Sequence, residues 1–381
     1  MARRHELGQY FTTCSVLQED VVSLVLNSPS VVLEPCAGRG DLAGALLKRM
    51  PDIDLALFEI DNSIPLVHPL AVTYCDFLNQ PFCTQYLTII GNPPYVRTPK
   101  GNLFLAFTRK CVELLLPGGE LVFIVPSEFF MLTSAAPLLN EMLAQGTFTH
   151  ITHRDDENMF EGASVDVLVF RYCKDASLPK VVLYNGATRH IVNANGFVTF
   201  KNQGIELEPK CFKDFFDVYV GLVSGKEDVF KNAALGTVQV LNAENQLDNY
   251  IYTEVFPCGD EAVNAHLLQH KDALKARGIR KFSEKNWFEW GAPRNIKIME
   301  KHAGRQCIYV YNLTRRTPVA FVGTVSYFGG GLLMLLPNKQ CDLQKVVEYM
   351  NSDSFKKDFM FSGRFKIGQR QLCNSQIVKI E

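Results

Sequence analysis

The residues of this chain best suited to act together chemically are Asn92-Pro93-Pro94-Tyr95, which follow the apolar run Ile89-Ile90 and Gly91. Each proline fixes its own φ and pushes the residue before it into an extended conformation, so the corner is stiff. Neither proline offers an N–H, which leaves backbone carbonyls and the Asn92 amide oxygen as acceptors held in one place. Tyr95 adds a flat apolar face for stacking. Such a set can grip the two N–H bonds of a planar amino group whose lone pair is delocalised. By favouring a more tetrahedral nitrogen it raises nucleophilicity through positioning and electrostatics, without a strong base or a covalent intermediate. The competing reading is a proline corner with a purely structural purpose.

A second constellation lies at the ends of three further apolar runs. Glu34-Pro35-Cys36-Ala37-Gly38-Arg39-Gly40-Asp41 is a tight glycine-containing turn that opens a helix, and small residues at 37, 38 and 40 let a ligand approach the backbone. Phe58-Glu59-Ile60-Asp61 places an acid where nucleotide folds hydrogen-bond ribose hydroxyls, and Tyr74-Cys75-Asp76-Phe77 ends the next run with another acid. The turn is not GxGxxG and lacks GK[ST], so a pyrophosphate is disfavoured and an adenosine compound without phosphates fits better.

The elements that must carry these residues alternate between Val31 and Tyr172. Strands are predicted at Val31–Leu33, Leu55–Phe58, Val72–Cys75, Leu87–Ile90, Leu121–Val125, Thr147–Thr152 and Val165–Arg171, with helices at Asp41–Met50, Leu103–Leu116 and Ala135–Gln145. The second helix is expected to close at Pro117-Gly118-Gly119. This is an α/β pattern: a doubly wound, Rossmann-like domain with a seven-stranded sheet. Only Asp155–Ser164 separates the last two strands, too little for a crossover helix, so they should form an antiparallel hairpin. After about residue 200 the rhythm becomes irregular, which places a boundary within Leu178–Gly204. The expectation is a catalytic domain over 1–190 and a mixed α/β domain over 191–381. Gly329-Gly330-Gly331 reads as a turn or a close approach of backbones.

The chain has 381 residues, 47% hydrophobic and 21% charged, the balance of a soluble globular protein with two cores. The start MARRHELGQY leads into no apolar stretch and no run reaches membrane-span length, so no membrane anchor and a cytoplasmic location are expected. Eleven cysteines are scattered singly, which suits free thiols in a reducing compartment and argues against a structural metal. The His150/His153 and His266/His270 pairs lack ligand-spaced partners and read as hydrogen-bonded or solvated.

The net charge of −1 conceals an uneven distribution. Residues 271–320 concentrate lysine and arginine, including Lys271, Lys275, Arg277, Arg280, Lys281, Lys285, Arg294, Lys297, Lys301, Arg305, Arg315 and Arg316, and a second group follows at Ser362-Gly363-Arg364-Phe365-Lys366. Both tryptophans, Trp287 and Trp290, fall inside the first group. Basic residues interleaved with aromatics suit a phosphate backbone and stacked bases. We expect a DNA face carried by Trp287, Arg294, Lys297, Arg315, Arg316, Arg364 and Lys366, with Arg294 and Arg364 the preferred clamps. Taken singly, each cation could equally be a solvated surface charge, and either tryptophan could be core.

These motifs together resemble the N6-adenine DNA methyltransferases, in the class whose cofactor motif precedes NPPY and whose target recognition domain comes last. The resemblance covers nearly the whole chain. It rests on Gly8-Gln9-Tyr10-Phe11-Thr12, Glu34-Pro35 with Gly38 and Gly40, Phe58-Glu59-Ile60-Asp61, Asp76-Phe77, Gly91-Asn92-Pro93-Pro94-Tyr95, Leu116-Pro117-Gly118-Gly119, Phe123-Ile124-Val125-Pro126 and Met159-Phe160 before Ser164-Val165-Asp166-Val167. Thr13 departs from the family's usual proline. The resemblance implies S-adenosyl-L-methionine as cofactor and double-stranded DNA as partner, with base flipping and no metal. It implies that Tyr10, Phe11 and Thr12 close over the cofactor's methionine end. Glu34 with Cys36, Ala37, Gly38 and Gly40 would hold its amino-acid portion, Glu59 and Ile60 its ribose, and Asp76-Phe77 its adenine. Asn92 and Pro93 would grip the target amino group, Pro94 would stiffen the corner, and Tyr95 and Phe160 would sandwich the base. A cognate restriction endonuclease would be a separate protein, and a monomer suffices to methylate one strand at a time. Two alternatives remain: methylation of an RNA base or a protein glutamine, and a catalytically idle DNA-binding protein on the same fold.

Overall fold

The computed structural model describes residues 10–99, 101–154, 156, 158–160, 164–194, 196–201, 210–361 and 363–377. Gly8 and Gln9 of the N-terminal motif, Ser362, and part of the Asp155–Ser164 stretch lie outside the described residues. The chain divides into two units, Met1–Leu207 and Glu208–Glu381.

The first unit is built on strands β1 (Val31–Glu34), β2 (Asp54–Glu59), β3 (Val72–Tyr74), β4 (Tyr86–Gly91), β5 (Leu115–Pro126), β6 (Thr147–His153), β7 (Val167–Cys173), β8 (Val181–Tyr184), β9 (Ala187–Ala194) and β10 (Phe197–Lys201). They form one sheet in the order β10-β9-β8-β6-β7-β5-β4-β1-β2-β3. β3, β2, β1, β4 and β5 run parallel to one another, while β7 is antiparallel to both β5 and β6, its pairing with β6 being the expected hairpin. The sheet therefore has ten strands, not seven, and the unit boundary lies past 190. The added strands follow from a signal the sequence reading passed over: Asn185 and Gly186 both have positive φ (49° and 78°), the backbone of a two-residue hairpin loop. The polar run Thr188-Arg189-His190 on β9 departs from the continuous apolar pattern of a buried parallel strand.

Helices α1 (Ser15–Ser23), α2 (Asp41–Arg49), α3 (Leu103–Leu114) and α4 (Ala136–Gln145) cover the sheet. α2 begins with Asp41 and ends with Lys48-Arg49, complementing the helix dipole at both ends. α3 buries Phe104, Phe107, Thr108, Cys111 and Val112, one helical stripe. Its end passes directly into β5, so Pro117-Gly118-Gly119 bends the start of a strand, with Gly118 at φ 75°, where a helix-closing turn was expected. Leu33, Ile89 and Phe123 join the core under α3 and α4, while their chain neighbours Val32, Ile90 and Val122 join the core under α1 and α2, as the period of two requires. β7 is buried along its whole length. Its one charge, Arg171, meets the fully buried Glu120 at 2.6 Å. Glu120 also accepts from Thr88 Oγ1 and from the backbone of Leu26 and Asn27.

The second unit is mixed α/β as expected. Strands β11 (Phe216–Val220), β12 (Val238–Ala243), β13 (Gln246–Tyr250), β14 (Gln306–Tyr311), β15 (Ala320–Thr324) and β16 (Leu332–Pro337) are its main strands. Four of them form an antiparallel sheet in the order β11-β16-β14-β15, and β12 pairs with β13. Gly329 lies at a close approach of backbones: a Cβ on Gly221 would sit 2.1 Å from its carbonyl oxygen. Among the described residues no helix is long and apolar enough to cross a membrane.

Candidate active site

In the first unit the order of strands reverses between β1 and β4, and ligands in open α/β sheets bind outside the carboxyl ends of the strands at such a point. A pocket of about 190 Å³ opens there. Its lining includes Tyr10, Phe11, Cys36, Gly38, Glu59, Ile60, Asp76, Phe77, Asn92 and Pro94, all singled out from the sequence. Pro35, Cys75, Leu78, Leu103 and Phe107 complete it. Of these, Leu103 and Phe107 had a readable signal, being one turn apart on the amphipathic helix that follows NPPY.

Two glycines show why the turn after β1 has its composition. Gly40 caps α2 at φ 83°, and Gly38 has φ 54° with a would-be Cβ 3.2 Å from the Phe11 ring. The Gly38 N–H donates to Glu59 Oε2 at 2.8 Å, and Ile60 and Asp61 donate to Glu59 Oε1 at 2.8 and 3.0 Å. Three of the four lone-pair directions of Glu59 are thereby used, leaving one on Oε2. Asp76 accepts from the Leu78 backbone and from Asn79 Nδ2, which folds its loop. That loop is braced by Lys110, missed in the sequence, whose Nζ reaches the carbonyls of Phe77, Leu78 and Gln80 at 2.6–2.8 Å.

Glu34, Ala37, Gly40, Thr12, Pro93, Tyr95 and Phe160 are not part of the lining. Glu34 lies behind it, 2% exposed, with Oε2 lacking a partner among the described residues. Burial pushes its carboxyl well above the usual range, and the nearby charges of Asp41 and Glu59 push the same way. Ala37 is core, and its N–H bonds the Phe58 carbonyl. The Cys36 thiol accepts from the Asn92 backbone and is pushed up by burial, so it is a neutral packing group.

The Asn92 side chain is held on every side. Nδ2 donates to the Tyr10 carbonyl at 2.8 Å and to Thr12 Oγ1 at 3.1 Å, while Oδ1 accepts from Tyr95 Oη at 2.6 Å. The expected sandwich of Tyr95 and Phe160 is not what the rings form. They meet edge-on, 6.3 Å apart at 70°, and the Tyr10 ring lies 5.6 Å from each. Aromatic rings in contact favour such offset and edge packing over facing across a gap. Phe160 is 3% exposed as a result.

In the second unit one expected DNA contact, Trp287, and several other residues of the basic stretch are structural. Trp287 is 2% exposed in the core, packed on Phe256, and Trp290, also 2% exposed, donates its indole N–H to the Ile251 carbonyl at 2.8 Å. A ring so enclosed has no face to offer a base, so Trp287 is withdrawn from the DNA set. Arg277 is buried and binds the carbonyls of Leu274, Ser224, Trp287 and Glu289; burial lowers its pKa to about 10. Lys271 and Lys275 pair with Glu284, and Arg280 pairs with Glu289. By contrast Arg294, Lys297 and Arg315 are exposed and have no side-chain partner among the described residues. Arg315 and Arg316 line a pocket with Lys356, Lys357 and Asp353, and Arg316 lies over the Tyr311 ring. Arg364 is half-buried and Lys366 exposed, both on the same short strand.

Residues 76–160 match the model of the Eco57I restriction-modification methylase family. The chain is 28% identical to the type II methyltransferase M.HincII of Haemophilus influenzae over 227 residues, 54% of this chain and 43% of that protein. It is 31% identical to the modification methylase CviBIII of Paramecium bursaria Chlorella virus NC1A over 147 residues, 33% of this chain and 39% of that one. The matches thus span less than half the length of these relatives. Among solved structures, the type IIL restriction-modification enzyme MmeI in complex with DNA superposes with TM-score 0.57 at 9% identity, covering 98% of this chain and 65% of that one. The chain is therefore similar in sequence to type II restriction-modification methyltransferases, with the Eco57I methylase match falling on the segment that holds Asn92–Tyr95 and Phe160, and it shares the fold of a restriction-modification enzyme along nearly its whole length.

Proposed function

We propose that this protein transfers a methyl group from S-adenosyl-L-methionine to the exocyclic N6 amino group of adenine in double-stranded DNA. The observation that carries the reading is the placement of Asn92, fixed by its neighbours, on the wall of a pocket whose other walls are the acid-bearing ends of β1, β2 and β3. The residues present fit the cofactor. It is cationic, and Glu59 and Asp76 line its pocket while Glu34 lies behind it with a buried oxygen that lacks a partner among the described residues. Glu34 would pair with the ammonium group, Glu59 would accept from ribose through its remaining lone pair, and the pocket wall at Phe77 and Phe107 would give the adenine ring an apolar edge. When bound, S-adenosyl-L-methionine supplies an electrophilic methyl group on a sulfonium centre.

The chain's own residues do the rest by position. Asn92 Oδ1 and the Pro93 carbonyl accept the two amino hydrogens and turn the nitrogen lone pair outward, while the proline corner holds both acceptors still. Tyr95 and Phe160 supply aromatic surface once the Tyr10 ring gives way to the base. Arg294, Lys297, Arg315 and Arg316, with Arg364 and Lys366, would contact phosphates of the duplex. The names of the relatives and the MmeI likeness support DNA as the substrate class. The test is transfer from labelled S-adenosyl-L-methionine to unmethylated duplex DNA, followed by nucleoside digestion and mass identification. N6-methyladenine is the expected product. Label in RNA or in a protein glutamine, with none in DNA, would replace the substrate assignment.

A further inference from the structure

Asn92 can serve its proposed role only if its amide faces the right way. An asparagine amide turned by half a rotation keeps its shape and exchanges acceptor for donor. In the wrong orientation, two N–H donors would confront the target amino group. One neighbour, a carbonyl, decides the matter, and two hydroxyls complete the network. The Tyr10 carbonyl, 2.8 Å from Nδ2, can only accept, so it demands the nitrogen. Thr12 Oγ1 takes a second bond from the same nitrogen at 3.1 Å. On the other side Tyr95 Oη donates to Oδ1 at 2.6 Å, and burial raises its pKa well above the ordinary value, so the phenol keeps the proton that it donates. Both amide hydrogens and one lone pair of Oδ1 are then used, and one lone pair remains.

The segment that supplies two of these contacts is itself anchored. Gln18 Nε2 on α1 donates to the Thr12 carbonyl at 2.8 Å, and the Phe11 ring rests against the turn at Gly38. Thr12 is 5% exposed and absent from the pocket lining, whereas its neighbours Tyr10 and Phe11 are part of it. Its hydroxyl is directed at Asn92.

We propose that Thr12 and Tyr95 act through their hydroxyls as positioning residues: together with the Tyr10 carbonyl they fix the orientation of the Asn92 amide and leave one Oδ1 lone pair for the target amino group. For the identity of that amino group the proposal rests on the adenine reading above. It gives Thr12 a task different from closing over the methionine end of the cofactor, and gives Tyr95 a second task besides stacking.

The experiment compares Thr12→Val, which keeps the shape and removes the hydroxyl, with Thr12→Ser, which restores it, and Tyr95→Phe, which keeps the ring. Single-turnover methylation at saturating cofactor and DNA is expected to fall about tenfold in Thr12→Val and in Tyr95→Phe, while dissociation constants for S-adenosylhomocysteine and duplex change less than about twofold. Thr12→Ser should recover most of the rate. A wild-type rate in Thr12→Val overturns the proposal, as does a loss matched by weaker cofactor binding, which would return Thr12 to the cofactor lid. Solvent exchange of the Asn92 side-chain amide protons, followed by NMR on the full chain, needs no turnover. It should be slow in the wild type and about tenfold faster in Thr12→Val, and equal rates overturn the proposal. Wild-type protein that leaves DNA unmethylated but retains slow, Thr12-dependent exchange would sink the adenine reading and keep the positioning role.

Discussion

The two units of this protein use their polar groups in opposite ways. In the first, carboxylates and an amide gather where strands end, and among the described residues some of their hydrogen-bonding capacity is left over: the Glu34 Oε2 has no partner, and Glu59 and Asn92 each keep a lone pair. In the second, most of the cations between 271 and 289 are consumed by the fold, with Arg277 binding four named carbonyls and Lys271, Lys275 and Arg280 held by Glu284 and Glu289. Spare capacity in a buried place marks a site, because an unsatisfied polar group there is costly unless a ligand repays it. Charge abundance marks nothing until its partners are known.

The sharpest test of this contrast is Asn92→Ala. It should lower single-turnover methylation by about 100- to 1,000-fold, the scale of losing one positioned hydrogen-bonding group at a reacting centre, with S-adenosylhomocysteine affinity little changed by calorimetry. Next in size, Arg277→Ala leaves buried carbonyls without a donor and should cost on the order of 3 kcal/mol in urea unfolding. A loss of DNA affinity without a loss of stability would break the contrast by showing Arg277 to be a contact residue.

Glu34→Gln gives a smaller and two-sided effect. Because the folded-state pKa is raised, the stability contributed by this group is fullest below the ordinary carboxylate value and is lost as pH rises from there through the raised value. Glu34→Gln should therefore be more stable than the wild type at pH about 8, yet bind S-adenosyl-L-methionine about tenfold more weakly, the scale of one charge-assisted hydrogen bond. In the wild type, cofactor affinity should weaken as pH falls through the raised value and Glu34 becomes neutral, a dependence the variant lacks. The smallest expected effects belong to the exposed cations. Arg294→Ala, Lys297→Ala and Arg315→Ala should each weaken DNA binding by a factor of about three, lower the salt slope by about one, and leave the melting temperature unchanged.

The strands from Val31 to Cys173 and the helices between them were legible in the sequence, because a two-layered α/β core imposes apolar runs and helical stripes that local pattern reveals. The pocket was legible through its strand-end residues: ten of those named from the sequence line it. The outer strands β8, β9 and β10 were not, since polar residues break their apolar runs, although Asn185-Gly186 announced the turn between β8 and β9. The separation of free from committed cations was not legible either. Lys271 and Lys297 look alike in sequence, and only the folded chain brings Glu284 to one and, among the described residues, no partner to the other.

The sequence by itself determined which chemistry the site can perform, since residue types set donors, acceptors and charge, and the prolines at 93 and 94 stiffen their corner in any fold. The tertiary structure alone decided how those groups are aimed. Residues Tyr10 and Thr12 reach Asn92 across a sequence separation of 80 to 82 positions, the Tyr10 ring packs against both Tyr95 and Phe160, and Trp287 turns inward. Such contacts depend on chain segments brought together by burial of the core, a non-local event that no window of sequence contains.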